Sequence, residues 1–379
     1  MAPGPRKYGA AARKRPYHNQ PTPCALHAPL KRAAPADRLS RIRGTLDRHA
    51  AHHVQGEKRR AFGSSMKPDE ALLARLDPDI APRVLRLVEA ETTPSHLLDP
   101  AQVRAAFLRA RQPLRRPPVA LDIEDVGITV DGAPLALRLY RPRRPRPPAL
   151  LYLHGGAFTN GDLDSHDATC CLLAMEAGVM VASVDYRVLP EHRFPAAFDD
   201  TVGALRWLHA QAETLGADPA RLAVGGDSSG ANLALAAALE TRGRMPLRAM
   251  WLAYPIIGID FETPSYRENA NAPLLTRARC RRILRDYLGR EPGPDDRRAA
   301  PLLAPDFTGL PPAVAIAAEL DPLRSDAEIL ADRLRAAGAA CELVRAAGMP
   351  HGFLRWVADS AASRRVAVQS AQALAALLD

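Results

Sequence analysis

Cysteine is scarce in this chain of 379 residues, and its five positions, Cys24, Cys170, Cys171, Cys280 and Cys341, form no C-x-x-C pair. An odd count without that spacing indicates neither a disulfide framework nor a zinc site, and reads as idle thiols in a reducing compartment. A run of about 20 apolar residues, the minimum for a membrane-spanning helix, is also missing. The first thirty residues are basic but lack the apolar stretch of a secretory signal, so a cytoplasmic location is expected. Neither a glycine-rich phosphate loop nor a cluster of metal ligands stands out, and no cofactor is expected.

Basic excess is missing from most of the chain. The net charge is +9, but residues 1–65 alone hold fourteen Lys/Arg and three Asp/Glu. That leaves 37 of the 51 basic and 39 of the 42 acidic residues for positions 66–379, a net −2. The folded part therefore presents no basic domain to a polyanion, and nucleic acid is not an expected partner. Residues 1–65, rich in Arg, Pro, Ala and His, show no helical or strand period and read as a disordered extension. Residues 66–379 form the expected single folded domain.

From Met66 to about Arg111, Leu72, Leu73, Leu76, Ile80, Val84, Leu87 and Val88 recur at helical spacing. Asp99 and Pro100 then read as an N-cap and first helical residue for a piece reaching Ala110. Beyond residue 118, Ile123–Val130 and Leu135–Tyr140 predict an antiparallel hairpin turning at Asp131-Gly132. Short apolar runs at Ala149–Leu153, Val179–Val184, Leu222–Val224, Ala249–Ala253, Ala313–Ala317 and Cys341–Val344 suit buried parallel strands. Helical stretches near 167–177, 197–214, 229–241, 326–337 and 360–378 fall between or after them. The alternation predicts the α/β class, a mostly parallel twisted sheet with helices on both faces. One long excursion, from Ile256 to about Arg298 with a helix at Arg277–Leu288, leaves the sheet and could cover a site mouth.

Gly226-Asp227-Ser228-Ser229-Gly230 fits G-x-S-x-G between a strand and a helix, a turn that holds the serine strained and exposed above a sheet. A serine nucleophile needs a base and an acid that orients it, in the chain order Ser, Asp or Glu, His. His351, the last histidine, lies beyond the final strand and is the candidate base. Asp321, just past the Ala313–Ala317 strand, is the candidate acid, ahead of Asp227 and Asp326, the latter read as a helix-start residue. His154-Gly155-Gly156-Ala157-Phe158 follows a strand and resembles the H-G-G-G loop of esterases. The amides of Gly155, Gly156, Ala157 and Ser229 are the candidate oxyanion donors. Ser165-His166-Asp167 spells the same three letters, but adjacent side chains cannot form such a relay. Asp164 and Asp167 read instead as loop-orienting or helix-start residues, and Met349 and Phe353 as core or pocket wall.

These motifs, with Asp185-Tyr186-Arg187-Val188-Leu189-Pro190-Glu191-His192, Asp321-Pro322-Leu323-Arg324 and His351-Gly352-Phe353, resemble the hormone-sensitive-lipase family of α/β-hydrolases, especially its bacterial carboxylesterases. The resemblance covers the chain from about Met66 onward. It implies hydrolysis of short- to medium-chain acyl esters, a small-molecule substrate, under a helical cap built from 66–111 and 256–298. Arg187, Glu191 and His192 are expected to form a buried ion-pair network. Departures are Ala157 for the third glycine, Val188-Leu189 in the second motif, and Arg281-Arg282-Ile283-Leu284-Arg285 where the family has an aromatic stretch. Rival readings are a non-catalytic small-ligand binder on the same fold, an amide or N-acetyl hydrolase, and an interaction protein acting through its basic tail. The sequence sets no oligomeric state; a homodimer is compatible with it.

Overall fold

The computed structural model describes residues 69–110 and 120–379. The expected disordered extension, 1–65, lies outside the described residues. Within them, eight strands form one sheet in the order β1-β2-β4-β3-β5-β6-β7-β8. The strands are β1 (Leu121–Val130), β2 (Ala133–Pro142), β3 (Ala149–Leu153), β4 (Met180–Asp185), β5 (Leu222–Asp227), β6 (Ala249–Ala253), β7 (Ala313–Leu320) and β8 (Cys341–Pro350). The β1–β2 hairpin and the β2–β4 pair are antiparallel, and every other pair is parallel.

The central strands β3, β5 and β6 are buried at every residue, as expected where helices cover both faces. On one face pack α5 (Ala196–Gln211), α6 (Ser229–Thr241) and α9 (Arg324–Ala336). On the other lie α4 (Asp167–Glu176) and α10 (Ala361–Leu378). Strand β8 runs six residues past its apolar run. It is an edge strand, and from Cys341 to Gly348 its burial broadly alternates, with Glu342 and Arg345 turned to solvent.

Ahead of the sheet come α1 (Glu70–Ala74), α2 (Ala81–Ala90) and α3 (Pro100–Ala110). Leu72, Leu76, Ile80 and Val84 are buried in the α4/α10 core, and Asp79 accepts from Ser360 Oγ and the Ala362 amide. This first stretch is therefore bolted to the sheet domain. Helix α3 starts with the expected cap: Asp99 Oδ1 accepts from the Gln102 amide, and Gln102 Oε1 accepts from the Asp99 amide. The excursion after β6 carries α7 (Pro264–Glu268) and α8 (Arg277–Leu288). From α8, Arg279 and Arg282 donate to the carbonyls of Ser95 and His96, so the excursion touches the first stretch there. Among the described residues no helix is long and apolar enough to cross a membrane.

Candidate active site

Parallel strands deliver their C-terminal ends to one edge of the sheet, where open α/β folds place ligands. Leu320 of β7 and Pro350 of β8 are register partners, so Asp321 and His351, each the next residue, emerge side by side. At the end of β5, Ser228 is anchored by its amide to the Ala253 carbonyl of β6. The side chains line up: Ser228 Oγ lies 2.9 Å from His351 Nε2, and His351 Nδ1 lies 2.7 Å from Asp321 Oδ2. Asp321 is fully buried, and its Oδ1 accepts from the Leu323 amide. The ring of Tyr254 stands edge-on to His351, centroids 4.9 Å apart.

Ser228 has φ 55°, a region costly for a side chain with a Cβ. The turn is held because α6 starts immediately behind it and because its two glycines lie against β3. A Cβ at Gly226 or Gly230 would collide with the Leu153 carbonyl oxygen. The strain expected from the motif is thus present, and its cause is this close approach.

The loop after β3 is also tightly wound, with Gly156, Ala157 and Phe158 all at positive φ. Among the described residues, the amides of Gly156, Ala157 and Ser229 have no hydrogen-bond partner. Gly155 requires a correction. Its amide donates to Asp227 Oδ1 at 2.8 Å and is not free for an oxyanion.

Asp227 collects four donors: the Gly155 amide, Tyr152 Oη at 2.7 Å, His166 Nε2 at 3.3 Å and Tyr254 Oη at 3.3 Å. Burial would raise its pKa, but the pairing with His166 and the other hydrogen bonds outweigh that and hold it well below the usual range. It is spent on this network, not on His351. His154 is neutral packing in the same loop. Burial, then the neighbouring His166, lowers its pKa to about 4, and its ring stacks on Tyr186 at 4.2 Å.

Asp326 lies in the first turn of α9, as expected, but it does not cap its own helix. Its Oδ2 accepts from the amides of Ile257 and Gly258, at the root of the excursion. Burial pushes its pKa up to about 7 against the lowering effect of those amides. Asp164 and Asp167 both bind Arg138, and Asp167 also accepts from Tyr140 Oη. Met349 and Phe353 are core.

The expected buried network of Arg187, Glu191 and His192 does not form. Arg187 pairs with the buried Asp200, while Glu191 is exposed and pairs with Arg104 of α3, and His192 is exposed. Arg104 also donates to the Thr159 carbonyl, tying α3 to the loop after β3. The Asp200 and Arg104 partners lie outside the motif, so its residues alone could not reveal them. A groove of about 720 Å³ runs between α2 and α3, lined by Glu91, Ser95, Val103, Phe107 and Asn160 among others. It borders the loop after β3, and Ser228 is not part of its wall.

A profile of the alpha/beta hydrolase fold family matches residues 150–355. The chain belongs to that family, in its hormone-sensitive-lipase-like branch. It is 40% identical over 293 residues to a carboxylesterase of Mycobacterium tuberculosis, covering 74% of this chain and 90% of that relative. An ethyl acetate hydrolase of Pseudomonas putida is 37% identical over 294 residues, covering 74% and 92%. Among solved structures, a hyperthermophilic esterase from the archaeon Pyrobaculum calidifontis matches with a TM-score of 0.71 and 33% identity, over 79% of this chain and 98% of that one. An α/β hydrolase enzyme from the metagenome of Lake Arreo matches with a TM-score of 0.74 and 32% identity, over 80% and 98%.

Proposed function

We propose that this protein hydrolyses carboxylic esters by two-step acyl transfer, with Ser228 as nucleophile, His351 as general base and acid, and Asp321 as the acid that orients His351. The chain is a serine ester hydrolase of the carboxylesterase kind. The observation that supports these residue roles is the unbroken relay from Ser228 Oγ through both nitrogens of His351 to a fully buried carboxylate.

In the first step Ser228 Oγ attacks the ester carbonyl carbon while its proton passes to His351 Nε2. The amides of Gly156, Ala157 and Ser229 hold the oxyanion, each worth a few kcal/mol, about 2.7–4 for one donor elsewhere. The buried Asp321 fixes the imidazole tautomer and stabilises the imidazolium. His351 then protonates the leaving alcohol. Water attacks the acyl-enzyme by the same route, and the carboxylic acid departs.

Acyl chains of about two to eight carbons are the proposed range, in keeping with a pocket under a cap and with a relative named for ethyl acetate. The cap is assigned to 66–111 and 256–298, on the strength of the α8 contacts with Ser95 and His96. A cytoplasmic location is favoured by four buried free thiols, Cys170, Cys171, Cys280 and Cys341. Residues 1–65 are assigned no part in catalysis, and deleting them should change kcat/KM less than about threefold.

The deciding experiment is Ser228→Ala, assayed with p-nitrophenyl butyrate and a fluorophosphonate probe. Loss of both turnover and labelling in a folded variant is expected. Retained labelling would remove Ser228 from the mechanism.

A further inference from the structure

The turn that carries Asp321 lies just past an irregular point in the sheet. The β7–β8 ladder is irregular between Ala318 and Leu320, just before the strand ends. Beyond that point the carbonyls of Glu319, Asp321 and Pro322 accept from side chains of the excursion after β6, and Arg324 of the same turn also donates to the first two. Asn269 Nδ2 donates to the carbonyls of Glu319 (3.2 Å) and Asp321 (3.1 Å). Ser265 Oγ donates to the Pro322 carbonyl at 2.5 Å and accepts from the Ser325 amide at 2.9 Å. The Ser265 amide in turn donates to Ser325 Oγ at 3.1 Å. Asn269 and Ser265 are both fully buried. Ser265 lies in α7, a helix of five residues that could not persist alone, and Asn269 is its C-cap. Two side chains of one short element thus bind the carbonyls of three residues in the 319–322 stretch.

We propose that Asn269 and Ser265 are positioning residues for the acid of the relay: through them the excursion after β6 sets where the Asp321 carboxylate meets His351. This rests on the functional reading above. The carboxylate makes a 2.7 Å bond to His351 Nδ1 and a second bond to Leu323 of the same turn. A shift of the 319–325 backbone therefore reaches His351 directly. A misplacement of about 1 Å at such a site costs on the order of 10²-fold, against about 10⁴ for losing the acid.

The test is Asn269→Ala in the full chain, with kcat, KM and the pH dependence of kcat/KM measured on p-nitrophenyl butyrate. The groups facing His351 are Ser228, Asp321 and Tyr254, with Asp227 and Arg355 acting behind Tyr254. The substitution alters none of them chemically. A displaced Asp321 stabilises the imidazolium less, so the acid limb should move to lower pH by about half a unit or more. With it, kcat should fall roughly 10- to 100-fold at nearly constant KM. Ser265→Ala, a smaller change that serves if the first variant fails to fold, should show the same pattern several-fold weaker. Asn232→Ala is the control, since it loosens the same excursion at its ends, away from Asp321. It should lower Tm without moving the acid limb. If Asn269→Ala and Ser265→Ala lose Tm alone, with kcat and the acid limb unmoved, the proposal is overturned. Activity surviving in Ser228→Ala would instead overturn the relay on which it rests.

Discussion

The Gly155 amide donates to Asp227 Oδ1 at 2.8 Å, so the residue before Ser228 holds the loop proposed to supply the oxyanion donors. Asp227→Ala should release that loop and lower kcat by about 10²–10³, the size of losing one donor, with KM within a few-fold. Asp227→Asn keeps one oxygen for Gly155 and should lose much less. Steady-state kinetics on both variants checks this; a rise in KM at constant kcat would show that the loop serves binding alone.

Two carboxylates, Asp321 and Asp326, lie five residues apart and should behave oppositely in catalysis. Asp321→Asn should lower kcat by roughly 10⁴, because the imidazole loses the partner that fixes its tautomer. Asp326→Asn should lose far less, since its carboxylate meets only the Ile257 and Gly258 amides among the described hydrogen bonds. The reverse ranking in folded protein would reassign the acid.

Asp326 also predicts a pH effect on stability. Its folded pKa, about 7, lies above its unfolded value near 4, so the folded state binds the extra proton between these pH values. The contribution is fully present below about pH 4 and is lost as pH rises through about 7. His154 acts in the opposite sense, losing stability as pH falls from its ordinary value near 6.5 toward about 4. The measurement is therefore a difference: the change in Tm between pH 5 and pH 8, wild type against Asp326→Asn. The wild type should lose more on going to pH 8; equal changes would place the Asp326 pKa near its unfolded value.

Arg187 binds the fully buried Asp200 through its guanidinium and its own amide. Arg187→Ala should strand that carboxylate. Removing one partner of a buried pair costs about 3–5 kcal/mol, and the lower end applies because the arginine side chain is 30% exposed. Urea unfolding measures the loss, and a change under about 1 kcal/mol would mean that water replaces the guanidinium.

Ser228, Asp321 and His351 were legible because each directly follows a strand, and strand ends are marked by short apolar runs. The true length of β8 was hidden, since an edge strand broadly alternates in burial and its polar half breaks the run. The loss of Gly155 as a donor was hidden for another reason: its partner is 72 residues away and is chosen by the packing of β3 against β5. The same holds for Asn269, about fifty residues from the carbonyls it binds, and for Glu191, whose partner Arg104 lies 87 residues upstream. Motif order announces the three side chains that line up, whereas the groups that hold them are specified only by three-dimensional proximity.

Asn232, in α6 one turn past Ser228, donates to the carbonyls of both Ile256 and Ala299. A single amide group therefore clips together the two points where the chain leaves and rejoins the sheet domain. Everything between them is topologically a removable cassette whose end-to-end distance is fixed by the host and not by its own contents. Exchanging residues 257–298 for the matching segment of a relative, with Asn232, Ser265, Asn269, Asp326 and the two junctions retained, should transplant substrate preference. Splicing at other positions would sever the clip and leave the new segment's ends free to drift.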